Sequence, residues 1–417
     1  MEFVKKNLKA AFEYIKAFFK WILIAIIIGA LGGVVGSAFH LSIDYVTELR
    51  AEYSWLLFLL PVGGLVIAAI YEIFRSTGKI DTNRVLEAVG AEEKVPLVMA
   101  PLIFISTLIT HLLGGSAGRE GAALQLGGSI GYNLGKVFRL NKNDIHIIVM
   151  AGMSSVFAAL FGTPLAATFF ALEVTCVGVL HYAGLVPCLI AAVTSYYTAI
   201  KFGVSPIRFK LPTELISAED ITKVIVLALV CAVVSIVFCV TIKKTEDWME
   251  KLIRNKYLRA LVGGAIIVAL SLMLRSYDYN GAGMDVISRA MAGNAKGEAF
   301  ALKIVFTAIT IAAGFKGGEI VPTLFIGSTL GCVLGPILGL NAGFSAGIGA
   351  VALFCGVVNC PVASVLLALE IFGADGILLF ALACGVSYMM SGNFGLYKSQ
   401  KIVYSKFDDE YIDKNTR

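Results

Sequence analysis

The sequence predicts an all-α polytopic membrane protein made of two related halves, and three observations carry that prediction. Hydrophobic residues make up 58% of the 417 and charged residues 15%, with a mean hydropathy of +0.84. A water-soluble chain carries about a quarter charged residues, so the composition places this one in a bilayer. Second, Gly114 to Gly135 reads GGSAGREGAALQLGGSIGYNLG, and Gly314 to Gly335 reads GFKGGEIVPTLFIGSTLGCVLG. Laid over each other without a gap they share Gly114, Gly118, Leu124, Gly127, Gly131, Leu134 and Gly135 with their counterparts at an offset of 200. Third, FGTPLAATFFALEV (Phe161 to Val174) is echoed by VNCPVASVLLALEI (Val358 to Ile371), in the same order along the chain.

Residues 1–20 carry Lys5, Lys6, Lys9, Lys16 and Lys20 among Phe3, Phe12, Tyr14, Phe18 and Phe19, which reads as a basic amphipathic helix that merges into the first apolar run. The positive-inside rule puts it in the cytoplasm, and the apolar run that follows is too long for the core of a cleaved signal peptide. The first membrane half spans 21–200. It opens with apolar segments at about 21–43 and 55–74, then a polar break from Ser76 to Lys94 whose halves are each too short to cross a bilayer. Apolar runs resume at about 96–113, 121–138, 145–161, 164–180 and 183–200. Several are short for a full crossing, and short, glycine- and proline-broken helices at matching places of two halves point to a transporter binding site. A polar linker, 201–223, precedes the second half, 224–392, which opens with runs at about 224–242 and 258–274 and a second polar break. Residues 393–417 are expected to form a C-terminal pore-lining and cytoplasmic helix.

Glycines spaced by four, Gly127, Gly131 and Gly135 and their copies Gly327, Gly331 and Gly335, let helices approach closely in lipid. The cysteines lack any CxxC pair, and several fall inside apolar runs, so neither a disulfide framework nor a metal site is implied. The net charge of +5 is modest, with basic residues in the N-terminal segment and short loops, which excludes nucleic acid as a serious partner.

The chemistry concentrates in the repeated stretch. Ionisable residues at bilayer depth are expensive and mark ion, proton or substrate paths. Two helix N-termini, after Gly118-Arg119-Glu120-Gly121 and Gly318-Glu319-Ile320-Val321-Pro322, enter the interior with unpaired N–H groups and partial positive charge, an arrangement that binds anions. A carboxylate there, Glu120, is itself an anion, a tethered competitor that leaves when protonated or displaced and thereby couples protons to anions. Arg119 cannot release a proton and reads as the fixed charge holding the loop. Gly114 to Gly118 satisfies G-x-S-x-G with His111 nearby, but the motif needs a strand–serine–helix elbow that this segment does not supply. Phosphate-loop, dinucleotide and HExxH fingerprints are absent, so no cofactor is expected and the chain reads as a transporter rather than an enzyme. Glu173 and Glu370, at equivalent ends of their runs, read as helix caps or anchors.

GREG with its glycine-spaced helix, Pro164 in FGTPLA, GGEIVPTLFIG and SGNFGLYKSQK together resemble the CLC family of anion channels and anion/proton antiporters, over almost the whole chain. The resemblance implies a fold of two inverted repeats with short, broken and re-entrant helices. It also implies a homodimer with one pathway per subunit, a multi-pass position in the plasma membrane and both termini in the cytoplasm. By position, Glu120 corresponds to the external gating glutamate and Tyr397 to the tyrosine facing the central anion. Chloride-handling members carry GSGIP, GREGP and G-x-F-x-P where this chain has DTNRV, GREGA and GEIVP, and their internal glutamate falls at Val174. The pattern is most similar to the fluoride/proton antiporter branch, which places an acid where Glu319 stands. Thr82 departs from the methionine or asparagine of that branch, and a chloride channel or chloride/proton antiporter remains the alternative. Fluoride export in exchange for protons is the expectation. Gly118, Arg119, Gly121, Thr82, Asn83, Ile320, Val321, Phe325 and Tyr397 are the candidate anion contacts, with Thr82 or Asn83 facing the path.

Overall fold

The computed structural model describes residues 2–74, 81–90, 94–212 and 218–417; parts of the first polar break (75–80, 91–93) and of the linker (213–217) lie outside the described residues. The first half comprises α1 (Glu2–Glu52), a 3-10 turn leading into α2 (Leu60–Ile73), α3 (Thr82–Val89), α4 (Met99–Leu112), α5 (Glu120–Val137), α6 (Lys142–Phe161), α7 (Pro164–Glu173) and α8 (Leu185–Lys201). The second half repeats the series: α9 (Ala218–Leu252), α10 (Lys256–Leu274), α11 (Met284–Met291), α12 (Ala299–Ala312), α13 (Ile320–Ile337), α14 (Ala342–Val358), α15 (Pro361–Phe372) and α16 (Ile377–Met390). Among the described residues seven helical segments are long and apolar enough to cross a bilayer, and six shorter apolar helices accompany them.

Equivalent elements meet across a two-fold axis. The carboxylate of Glu173, at the end of α7, accepts from Val362 N (3.1 Å) and Ala363 N (2.8 Å) at the start of α15. Glu370 of α15 returns the contact, accepting from Leu165 N (3.0 Å) and Ala166 N (2.9 Å) of α7. Each glutamate thus satisfies orphan N–H groups of the other helix, as the capping expectation requires. Because the end of each helix meets the start of its copy, α7 and α15 run antiparallel. A two-fold that reverses its helices lies in the membrane plane, which makes the repeats inverted. Gly118 and Gly318 repeat the relation, each N–H donating to the other's carbonyl at 2.6 Å.

The glycine ladders explain the core. A Cβ added at Gly127 would strike the backbone of Gly152 on α6, and one at Gly327 would strike Gly349 on α14. Absence of side chains at these crossings lets α5 lie on α6 and α13 on α14 at backbone contact, so these helices are buried nearly all round.

The basic segment 1–20 and the apolar run after it form one helix, α1, unbroken across position 20. Two expectations need correction. Helix α9 begins inside the expected linker and continues through TIKKTEDWMEKL, a polar stretch made largely of good helix formers. The C-terminal helix does not form. Gly392 to Gln400 is irregular, and Lys401–Tyr404 (β2) pairs antiparallel with Tyr411–Asn415 (β3) and parallel with Cys176–Val177 (β1). The β-forming run Ile402, Val403 and Tyr404, and the FDDE turn signal, suit a hairpin docked on an existing strand.

Candidate functional site

The repeated stretches position the site. Both α5 and α13 start without a side-chain cap, and the Gly118–Gly318 bridge brings their N-termini face to face. Glu120, the first residue of α5, is fully buried, and its Oε2 accepts from Arg119 N (3.0 Å) and Val321 N (3.3 Å). One carboxylate oxygen therefore draws on the N–H groups of both helix ends, where partial positive charges converge. The other oxygen, Oε1, has no hydrogen-bond partner among the described residues; Arg119 Nε stands 4.0 Å from it.

Two cavities flank this point. The first, about 590 Å³, is lined by Thr82, Asn83, Gln125, Glu319, Tyr397 and Ser399 among others. The second, about 660 Å³, is lined by Asp44, Arg50, Arg119, Asp278, Gly283 and Val321 among others. Glu120 is buried between them: its neighbours Arg119 and Val321 face the second, and Glu319 faces the first. A methyl group placed on Gly121 would stand 3.6 Å from Glu319 Oε2, which puts the two acids on either side of a single backbone turn.

The expected contacts fall as follows. Gly118 and Gly121 form the floor where the helix ends meet; Gly121 lies so close to Gly318 that an added Cβ would be 2.9 Å from its Cα. Ile320 is fully buried in the first turn of α13 and Val321 supplies the N–H already described. Arg119 lines the second cavity: its Nη1 donates to Asp44 Oδ1 at 2.9 Å, and His40 Nε2 lies 3.0 Å from Asp44 Oδ2, so the guanidinium is paired with α1. Thr82 and Asn83 both line the first cavity at the start of α3. Thr82 Oγ1 accepts from Gln125 Nε2 at 3.0 Å, and Asn83 Oδ1 accepts from Ser399 N (3.1 Å) and Ser399 Oγ (3.0 Å). Tyr397 lines the same cavity on an irregular segment, 3% exposed, with its hydroxyl unpartnered among the described residues.

Phe325 is elsewhere. It is fully buried beside Gly283 and Tyr279, with Lys303 Nζ 5.0 Å from its ring centre. The inversion is the reason: Phe325 is the repeat partner of Gln125, so the two-fold carries it to the second cavity's side, away from Tyr397 and Glu319. Ser116 is likewise no nucleophile, since its hydroxyl lies 3.1 Å from Thr307 Oγ1 while His111 Nδ1 lies 3.0 Å from its own helix's Thr107 O.

Sequence reasoning missed Gln125, the Asp44–Arg119 pair and the Gln400 hub. Gln400 Nε2 donates to Val174 O (3.0 Å) and Val358 O (2.8 Å), and Thr416 Oγ1 donates to Tyr397 O (2.6 Å), which ties the Tyr397 segment to both halves and to the C-terminal hairpin. Gln125 had a signal: a lone amide in the otherwise small and apolar run GAALQLGG.

The arrangement finds parallels among known proteins. Residues 63–392 match the family model described as voltage gated chloride channel. A chloride/fluoride channel protein of Pseudomonas syringae is 35% identical over 398 residues, covering 93% of this chain and 87% of that one. The crystal structure of a CLC-type fluoride/proton antiporter superposes with a TM-score of 0.89 at 32% identity, covering 92% of this chain and 98% of that chain. A slow cyanobacterial Cl⁻/H⁺ antiporter shares the fold with a TM-score of 0.75 at 21% identity, covering 89% and 94%.

Proposed function

This chain belongs to the voltage-gated chloride channel family, and on that premise we propose that it is a secondary active transporter exporting fluoride from the cytoplasm in exchange for protons. The observation that carries the reading is the carboxylate of Glu120 seated on the N–H groups of two converging helix ends, with a cavity on either side. An anion arriving through the first cavity competes for those donors. A proton arriving through the second neutralises Glu120 and weakens its hold. Exchange of one for the other moves anion and proton in opposite directions.

Glu319 takes the proton's inner station, since it lines the first cavity next to Gly121. Val174 offers no proton carrier; it is fully buried and its carbonyl is occupied by Gln400. Fluoride is small and strongly hydrated, so its site must replace water with hydrogen-bond donors at close range. Tyr397 Oη, a protonated Glu319 and the free helix-end N–H groups are donors of that kind. The likeness to a fluoride/proton antiporter at 32% identity supports the same anion. We further propose the family's homodimer, with a pathway in each subunit, in the cell membrane with both termini inside.

Anion efflux from liposomes, followed by fluoride and chloride electrodes in parallel, tests the reading. Fluoride efflux well above chloride efflux is the expected result; chloride efflux alone would return the chain to the chloride-handling branch.

A further inference from the structure

We infer that Gln125 sets the anion preference of the path, its carboxamide oxygen taking the Thr82 hydroxyl hydrogen and its N–H groups donating to the ion. The inference deepens the fluoride reading above and rests on it for the identity of the ion.

Gln125 is 5% exposed, lines the first cavity with Thr82, Glu319 and Tyr397, and its Oε1 has no hydrogen-bond partner among the described residues. Its Nε2 lies 3.0 Å from Thr82 Oγ1. A buried carboxamide oxygen left without a partner carries its full desolvation cost. A half-turn about the terminal bond exchanges oxygen and nitrogen without changing the shape of the side chain. In that orientation the oxygen accepts from the Thr82 hydroxyl across the same gap, and the amide N–H groups become the free atoms. Neither orientation satisfies the whole amide within the protein. The two differ in what they ask of the cavity: the first presents an acceptor, which repels an anion, and the second presents donors, which an anion satisfies.

The neighbouring groups favour the second. Tyr397 Oη lines the same cavity, also buried and unpartnered among the described residues, so two polar side chains there await the same ligand. Asn83 is not in competition for Thr82, because Ser399 holds its oxygen twice. In the other half the equivalent of Gln125 is Phe325, packed against Gly283, so the donor belongs to one side of the path only. A smaller, more charge-dense ion gains most from N–H donors held at fixed positions, which makes this amide a selectivity element as well as a contact.

The test uses the full chain reconstituted in liposomes, with fluoride, chloride and nitrate efflux and proton uptake measured for wild type, Gln125→Met, Thr82→Val and the double variant. Gln125→Met keeps the volume and removes the donors. It is expected to lower the fluoride-to-chloride rate ratio about tenfold, equivalent to about 1.4 kcal/mol. The protons moved per fluoride should stay unchanged, because Glu120 and Glu319 are untouched. Thr82→Val frees the amide and should shift the ratio less, and the double variant no further than Gln125→Met alone. Equal slowing of all anions by Gln125→Met, or an unchanged ratio in both single variants, would overturn the inference; if Gln125→Met does not fold, the Thr82→Val ratio decides. A wild type that moves chloride and not fluoride refutes the fluoride reading instead, and the chloride-to-nitrate ratio of the same variants then judges Gln125.

Discussion

Replacing Gly318 by alanine tests whether the site depends on the contact between the two helix ends. Gly318 needs no left-handed backbone, so the effect of a methyl group is one of space alone. The new Cβ would press on Gly121 N and stand 3.0 Å from Glu120 N and 3.1 Å from Gly121 Cα, all of them backbone atoms that cannot swing aside. Ordinary carbon contacts begin at about 3.5 Å, so the two segments must part by roughly half an ångström. Parting stretches the two 2.6 Å bonds of the Gly118–Gly318 bridge and carries Val321 N, already 3.3 Å from Glu120 Oε2, out of hydrogen-bonding range. Overpacking costs about 1–3 kcal/mol and each weakened bond up to about 1 kcal/mol, about 3 kcal/mol together. A loss of that size at the gate slows transport on the order of 100-fold. Fluoride efflux from liposomes and the unfolding midpoint in detergent would both register it. Gly385→Ala, where an added Cβ meets nothing within 4 Å, is the control and should behave as wild type. Wild-type efflux and midpoint in Gly318→Ala would refute the claim that the bridge holds the site together.

Glu319→Ala should abolish or severely slow fluoride-driven proton movement while leaving a folded protein on size exclusion, because Val174 supplies no substitute; undiminished exchange would remove Glu319 from the proton path. Glu173→Gln replaces one acceptor with an amide N–H₂ facing the N–H of Val362 or Ala363, losing one charge-assisted bond of about 2 kcal/mol. Its unfolding midpoint should fall by a few degrees, more than for Glu370→Gln, whose carboxylate is less deeply buried; equal midpoints in both variants and wild type would show that the reciprocal caps add nothing.

Much of this architecture was legible because an inverted repeat writes itself twice. The 200-residue offset of the glycine ladders located α5 and α13, and the Ala-Leu-Glu echo located α7 and α15. Sequence periodicity could not give the handedness of the pairing, and the error over Phe325 follows from that. One turn past Glu319 in sequence reads as near it in space, yet inversion assigns that place to Gln125 and sends Phe325 to the other side. α3 and α11 do carry a helical period, Val85, Leu86, Ala88 and Val89 in one and Val286, Ile287, Ala290 and Met291 in the other, but over 8 residues each it is masked by the polar breaks around it. The C-terminal ends of α1 and α9, past residues 43 and 242, differ from the apolar runs because polar residues continue a helix as readily as apolar ones when they are good helix formers. The C-terminal hairpin depends on β1, a two-residue strand far away in the sequence that carries no local signal of its own.

The central claim is that Glu120 couples protons to the anion, and proton uptake into liposomes under an opposing fluoride gradient tests it most directly. Wild-type protein should pump protons uphill as fluoride leaves. Glu120→Gln keeps one acceptor for Arg119 N and Val321 N but cannot gain or lose a proton, so its uphill proton movement should vanish. Coupled pumping at the wild-type rate in Glu120→Gln would contradict the account.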